Sequence, residues 1–372
     1  CYMTASWQQL MRRALALAKK GYGNTGPNPR VGALVVRDGK IVGEGFHARV
    51  GGPHAEAVAL GRAGKAGSGA DLVVTLEPCS RYGRTPPCTE LILKSGVKRV
   101  VIGCGDPNPA ESGRGTDFLR QRGIEVVEGV EEDRCRRLNE TYSHFITTGR
   151  PFVTLKLAVS IDGRIATATG DARWVSSPPF GRFVHRLRRD ANAVLVGAGT
   201  ARGDDPELTV RLAKPDTHPL RVVVSGSLDL PDNLRLFREQ DSDPTLVFTT
   251  TDADPKAAAR LARKGIEVMT VAPRAGRVDL AEVMAELGSR GVSSLLVEGG
   301  GQLAGALLAR SLAHRLIVAH APVVIGATGR PAVGFDGYSV LAEAPRYEVE
   351  WSRRMGPDLV MAYRPELPGG EL

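Results

Sequence analysis

His54-Ala55-Glu56, Glu77-Pro78-Cys79 and Cys88 are the residues of this chain whose types and spacing point most directly to chemistry. One imidazole and two thiolates give a tetrahedral Zn2+ three ligands and leave its fourth position open to water, which suits hydrolysis. Glu56 then fits the role of the acid that carries protons between the attacking water and a departing amine. Positions i and i+2 diverge in mid-helix, so the spacing predicts His54 at a helix cap, where non-helical dihedrals let imidazole and carboxylate converge. Pro87 suits a first helical turn and predicts Cys88 at a helix N-terminus, where the dipole favours thiolate.

His-x-Glu alone occurs by chance, but joined to Pro-Cys and a second Cys it matches the pattern of zinc deaminases, in which two residues separate the cysteines. Here eight intervene, Ser80 to Pro87, and they are expected to form a loop beside the open metal position. The competing readings are a closed structural zinc site with His47 or Cys104 as fourth ligand, and cysteines that simply pack in a core. Cys1, Cys104 and Cys135 lack partners at metal spacing and are given no role.

The elements that must position these groups follow from periodicity. Ser6 and Gln9 form a candidate capping box for a helix over Trp7 to Lys20. Asp38-Gly39 between two apolar runs, Val31 to Val36 and Ile41 to Phe46, predicts a β-hairpin. Helix and strand patterns then alternate: helices from Ala55 to Arg62, after Pro87 and near Phe118, and strands at Leu72 to Leu76, Arg99 to Ile102 and Ile124 to Val127. A charged helix from Glu131 to Thr147 leads to Gly149-Arg150-Pro151, where we place a domain boundary, giving domains 1–150 and 151–372. The second half alternates again from a strand at Phe152 to Val159, with later strands at Ala193 to Val196, Arg221 to Val224, Thr245 to Phe248, Ile266 to Val271, Ser294 to Val297 and Leu316 to Ala319.

With 372 residues, 42% apolar and 24% charged, the chain suits two globular domains and is neither disordered nor collagenous. No run approaches the ~18 apolar residues of a membrane span, and no export signal is visible, so no membrane partner is expected. Five cysteines, an odd number, argue against a disulfide scaffold and for a reducing, cytoplasmic setting. The net charge of +8 sits mostly in residues 1–150, which hold 22 Lys/Arg against 15 Asp/Glu. Such a field suits a phosphorylated metabolite or nucleic acid, although a merely solvated basic surface is the commoner cause.

At these residues the sequence resembles the bifunctional deaminase/reductase family of bacterial riboflavin biosynthesis, nearly end to end. The first half carries Pro27-Asn28-Pro29, Pro53-His54-Ala55-Glu56, Leu76-Glu77-Pro78-Cys79-Ser80, Gly83-Arg84-Thr85-Pro86-Pro87-Cys88 and Asp106-Pro107-Asn108-Pro109. The resemblance implies a cytidine-deaminase-like three-layer domain followed by a dihydrofolate-reductase-like α/β domain. It implies hydrolytic removal of an amino group from a diaminopyrimidine bearing a ribosylamino phosphate, with Asn28, Asp106 and Asn108 reading the pyrimidine edge and Arg84 meeting the phosphate. Asn and Asp in turns are as readily backbone caps. Arg81 departs from the His usual there.

The second half resembles the family's reductase through Thr154-Leu155-Lys156, Ser160-Ile161-Asp162-Gly163-Arg164, Val196-Gly197-Ala198-Gly199-Thr200, Leu208-Thr209-Val210-Arg211 and Val297-Glu298-Gly299-Gly300. The resemblance implies NADPH as hydride donor to the opened ribose, which becomes ribityl. Ala158, Trp174, Thr200, Asp204 and Gly300 are then the candidate NADPH contacts, and Arg188, Leu208, Arg211 and Glu298 the candidate substrate contacts. A solvated helix face is the plainer reading of Arg188, and a simple turn that of the glycine run. No Gly-x-Gly-x-x-Gly opens a helix with an acidic residue about 20 positions on, so a standard Rossmann site is not expected. Ala172, Ser225 and Val323 stand where the family usually has Ser, Asp and Lys, which leaves a reductase-impaired chain as one alternative.

A nucleic-acid deaminase is the other alternative, since zinc deaminases also edit RNA. The first half, however, interleaves few aromatics with its basic residues, so no nucleic-acid partner is expected. The expectation is a homo-oligomeric enzyme, with Zn2+ and NADPH, acting on a small phosphorylated pyrimidine.

Overall fold

Ser6 opens the first helix, Trp7–Ala18, through a reciprocal cap: the Gln9 amide donates to Ser6 Oγ at 3.3 Å and the Ser6 amide to Gln9 Oε1 at 3.0 Å. The helix stops short of the expected Lys20, because Lys19–Gly21 tightens into a 3-10 turn. Strands Gly32–Arg37 and Lys40–Phe46 form the expected hairpin, with Asp38 and Gly39 both at positive φ as its tight turn requires.

These two strands begin a five-stranded sheet that continues through Asp71–Leu76, Arg99–Cys104 and Glu125–Val127, antiparallel within the hairpin and to the third strand, then parallel. Gly43 and Gly45 let the helix Ala55–Ala63 lie against the second strand. A Cβ on either would come within 2.5 Å of a helix carbonyl, Ala59 O or Ala55 O. Packed that closely, the helix presents its first turn, and with it His54 and Glu56, at a fixed position.

The charged segment expected as one helix is two, Glu132–Leu138 and Glu140–Thr148, broken at Asn139. The amide of Asn139 is taken by the backbone of Arg30, and the helix turns there. The chain divides after Gly149 into two units, each with its own core.

The second unit holds a nine-stranded sheet in the order Glu267–Val271, Thr245–Thr250, Leu220–Val224, Ala193–Gly197, Ser294–Val297, Phe152–Val159, Arg315–His320, Asp358–Pro365 and Tyr347–Met355. The first seven pair in parallel, and the last two form an antiparallel hairpin at one edge. That hairpin was not expected from sequence. Its outer strand, Glu-Val-Glu-Trp-Ser-Arg-Arg in the middle, is half exposed along its length and lacks the apolar run that marks the inner strands.

These facts concern residues 6–82, 86–172, 175–211 and 218–366, which the computed structural model describes. Among them no helix is long and apolar enough to cross a membrane. Cys1, Arg84 and Trp174 lie outside the described residues.

Candidate functional site

His54 is the N-cap of the helix Ala55–Ala63, with extended φ −70 and ψ 159, so its side chain leaves the helix axis as the i, i+2 spacing demands. Cys88 is the first residue of the helix Cys88–Ser95. Pro87 is its N-cap and stands one place outside the helical turn in which it was expected. The sulfur of Cys79 accepts the Cys88 amide at 3.4 Å, and the Cys79 carbonyl accepts the Thr89 amide, so the helix terminus is fastened to the Glu-Pro-Cys segment.

His54 Nδ1 lies 3.2 Å from Cys88 Sγ and 3.6 Å from Cys79 Sγ, and the three donor atoms all fall within 4.8 Å of one another. Zinc bonds of about 2.0 Å to nitrogen and 2.3 Å to sulfur at a tetrahedral angle require N···S separations of about 3.5 Å. The donor set therefore fits Zn2+. The Cys88 hydrogen bond holds the Cys79 thiol down to about 4 against the opposing effect of burial, while Cys79 and burial push the Cys88 thiol up, so the favoured thiolate is Cys79 and not Cys88 as its helix N-terminus led us to expect. Glu56 is buried at 4% exposure, and that burial pushes its carboxyl above the ordinary range, with the neighbouring Cys79 adding to the rise.

His47, weighed from sequence as a fourth ligand, stands outside the donor cluster. Its ring meets His54 edge-on at 5.7 Å between centroids. Nδ1 lies 3.1 Å from the Pro53 carbonyl and Nε2 3.5 Å from Asn28 Nδ2, and burial lowers the imidazole pKa. A neutral ring donating from Nδ1 and accepting at Nε2 satisfies both contacts. Cys104, the other proposed ligand, is buried and donates to the Thr75 carbonyl.

Asn28 thus reaches the metal cluster through His47. Asp106 Oδ1 accepts the Asn108 amide at 2.9 Å and the Tyr142 hydroxyl at 3.0 Å, while Asn108 Oδ1 accepts the Ala110 amide. Capping therefore accounts for one oxygen of each side chain. Burial raises the Asp106 carboxyl, and those two hydrogen bonds partly offset it. Arg81 is exposed and lies 4.0 Å from Glu111.

Sequence reasoning missed Glu77 as an organiser. Its Oε2 accepts the amides of Asp106 and Gly113, and its Oε1 those of Gly115 and Thr116, all between 2.9 and 3.2 Å. A buried acceptor two residues before Cys79 thereby shapes the whole 106–116 loop. The only available signal was an acidic residue next to Pro-Cys, and it resembled part of the metal motif.

In the second unit Arg188 and Glu298 come together. Arg188 Nε and Nη2 donate to the two carboxylate oxygens at 2.6 and 3.1 Å, and Nη1 donates to the Thr209 carbonyl at 3.2 Å. Arg188 is thus a buried, paired side chain and not the solvated one of the plainer reading. Lys156, not singled out from sequence, lies 3.4 Å from Glu298.

The helix Pro178–Asp190 that carries Arg188 also holds Arg211, whose amide donates to His185 Nδ1 at 3.3 Å. The Arg211 side chain is half exposed and pairs with Glu207. Leu208 is buried among core residues at positive φ, so its side chain faces inward.

Gly300 caps the helix Gly301–Leu308, which follows the strand ending at Val297 and has no side-chain hydrogen bond at its cap. A Cβ at Gly300 would sit 3.5 Å from Thr200 Oγ1. Thr200 lies in the helix Ala198–Asp204 after the adjacent parallel strand, so the two loops meet beside uncapped helix amides. That cradle fits a dinucleotide phosphate. Ala158 sits on the neighbouring strand Phe152–Val159, and Asp204 ends the Thr200 helix.

Of the three departures in this half, Ser225 is buried and its hydroxyl accepts the Leu228 amide as a turn cap. Val323 is exposed, with its carbonyl accepting the Ile161 amide, and the Ala172 carbonyl accepts the Val175 amide.

Comparison with known proteins matches residues 4–104 to a family model described as the cytidine and deoxycytidylate deaminase zinc-binding region, and residues 151–361 to the RibD C-terminal domain. Riboflavin biosynthesis protein RibD of Aquifex aeolicus is 41% identical over 354 residues, 95% of this chain and 97% of the relative. The Escherichia coli protein of the same name is 38% identical over 94% of this chain and 97% of its own length. Among solved structures, Acinetobacter baumannii RibD superposes with a TM-score of 0.87 at 33% identity, covering 97% of this chain and 99% of its own. A diaminohydroxyphosphoribosylaminopyrimidine deaminase/5-amino-6-(5-phosphoribosylamino)uracil reductase from Thermotoga maritima gives 0.83 at 38% identity, covering 96% and 98%.

Proposed function

The chain belongs to the RibD family, and we propose that residues 1–150 form its zinc-dependent pyrimidine deaminase domain and residues 151–372 its NADPH-dependent reductase domain. It is a bifunctional deaminase and reductase of riboflavin biosynthesis, a cytidine-deaminase-like fold joined to a reductase fold, with Zn2+ and NADPH as cofactors. The substrate is the one in the Thermotoga relative's name, and the product of the first half feeds the second. The observation that carries the deaminase reading is the convergence of His54 Nδ1, Cys79 Sγ and Cys88 Sγ beside the buried Glu56.

His54, Cys79 and Cys88 would hold the zinc, which would supply the Lewis acidity that makes water nucleophilic near neutral pH. Glu56, raised by burial, takes a proton from the attacking water and passes it to the departing amine. Asn28, Asp106 and Asn108 orient the pyrimidine edge, and Arg84 pairs with the phosphate.

In the second half NADPH supplies the hydride. Gly300 and Thr200 receive the dinucleotide, together with Ala158, Trp174 and Asp204. Arg211 anchors the substrate phosphate, while Arg188 fixes Glu298 and the 208–211 segment beside it. Lys156 and Arg188 against the single Glu298 leave a positive site that suits a phosphate ester. We place this activity in the cytoplasm and in a homo-oligomer, with a small molecule and not nucleic acid as partner.

Incubating the purified chain with the diaminopyrimidine ribosylamino phosphate, with and without NADPH, tests the reading. Ammonia release without NADPH, followed by nicotinamide oxidation on its addition, supports both halves. Absence of ammonia contradicts the first half, and unchanged nicotinamide absorbance contradicts the second.

A further inference from the structure

Asn139, at the break between the helices Glu132–Leu138 and Glu140–Thr148, makes a two-sided pairing across 109 residues. Its Oδ1 accepts the Arg30 amide at 2.7 Å and its Nδ2 donates to the Arg30 carbonyl at 2.9 Å, so the side chain stands in for a strand neighbour. Asn139 is 4% exposed, where a lost amide partner is costly. Arg30 lies two residues after Asn28.

Three residues further on, Tyr142 donates its hydroxyl to Asp106 Oδ1 at 3.0 Å. Burial pushes the phenol above its ordinary range, with Asp106 adding to the rise, so the hydroxyl keeps its proton and remains a donor. One short segment therefore grips the Asn28 loop with one side chain and the Asp106 loop with another. The segment lies between the two regions matched by family models, residues 4–104 and 151–361.

We propose that Asn139 and Tyr142 are positioning residues for deamination, setting the Asn28 and Asp106 loops at the separation the pyrimidine edge requires. This rests on the assignment of those two loops to the pyrimidine made above. Neither side chain needs to touch substrate, because binding of the pyrimidine weakens when the loops that carry its orienting groups are no longer held in their bound positions. The Asn139 pairing fixes the backbone beside Asn28, and the Tyr142 hydroxyl fixes which way the Asp106 carboxylate turns.

The test is Tyr142→Phe in the full chain, which removes one oxygen and keeps the ring, with Asn139→Ala as a second variant acting on the other loop. Deaminase KM and kcat, zinc per chain and reductase activity on the deaminated product are measured for each. Tyr142→Phe is expected to raise deaminase KM about tenfold, the effect of losing the hydrogen bond between the pyrimidine and an Asp106 carboxylate that is no longer held in place. Deaminase kcat should stay within about twofold, since the reacting groups are untouched. Zinc content and reductase activity should be unchanged.

An unaltered KM in both variants overturns the proposal. So does loss of zinc or a parallel fall of kcat in both, which is what a merely structural role would give. Wild-type chain that releases no ammonia would instead defeat the functional assignment itself, and the two failures are told apart by that control.

Discussion

Arg188 donates twice to Glu298, at 2.6 and 3.1 Å, and the pair sits deep in the second unit with Lys156 3.4 Å from the same carboxylate. Burial alone would raise the Glu298 carboxyl, but Arg188 and Lys156 outweigh it and bring it to about 2, from an ordinary 4.5. The folded value lies below the unfolded one, so the stabilisation is complete above about pH 4.5 and disappears as pH falls toward 2. Its size is about 3 kcal/mol. Acid unfolding of the second unit, followed by circular dichroism, should show this loss in wild type. Glu298→Gln leaves two cations facing a neutral amide and is expected to cost about 3 to 5 kcal/mol at neutral pH while flattening the acid limb. An unchanged acid limb would remove Glu298 from the account of stability.

Glu77 accepts four backbone amides, so Glu77→Gln puts an amide donor against two of them. A loss of about 2 to 4 kcal/mol is expected, with a raised deaminase KM because the 106–116 loop loosens. Thermal unfolding and steady-state ammonia release check both effects. A variant as stable as wild type would show that the loop holds its shape without the carboxylate.

Arg211→Ala removes a half-exposed side chain whose pairing with Glu207 contributes little to stability, within about 1 kcal/mol. Reductase KM should rise roughly 10- to 100-fold if the guanidinium meets the phosphate. Deamination should be untouched. A parallel fall of both activities would contradict two independent sites.

Much of this was legible in the sequence because the local rules were strong. The His54 cap, the Asp38-Gly39 hairpin and the inner strands of the second half follow from spacing, positive-φ residues and apolar runs. What was missed depends on partners far away along the chain. Asn139 reads as one polar residue within a charged helix until Arg30, 109 positions earlier, appears beside its amide. Glu77 looked like part of the metal motif, whereas its oxygens serve residues about 30 to 40 positions later. Arg188 stood among surface arginines, and only the fold placed Glu298 against it. The C-terminal hairpin escaped because its edge strand is charged and half exposed, so burial could not mark it.

The central claim is that Glu56 moves protons at a zinc held by His54, Cys79 and Cys88. The direct test compares ammonia release by wild type and Glu56→Gln at equal measured zinc per chain. Retained zinc with release reduced at least about 100-fold is the expected result, as for loss of a general acid-base group. Equal turnover at equal zinc, or wild-type chain that holds no zinc, would contradict it.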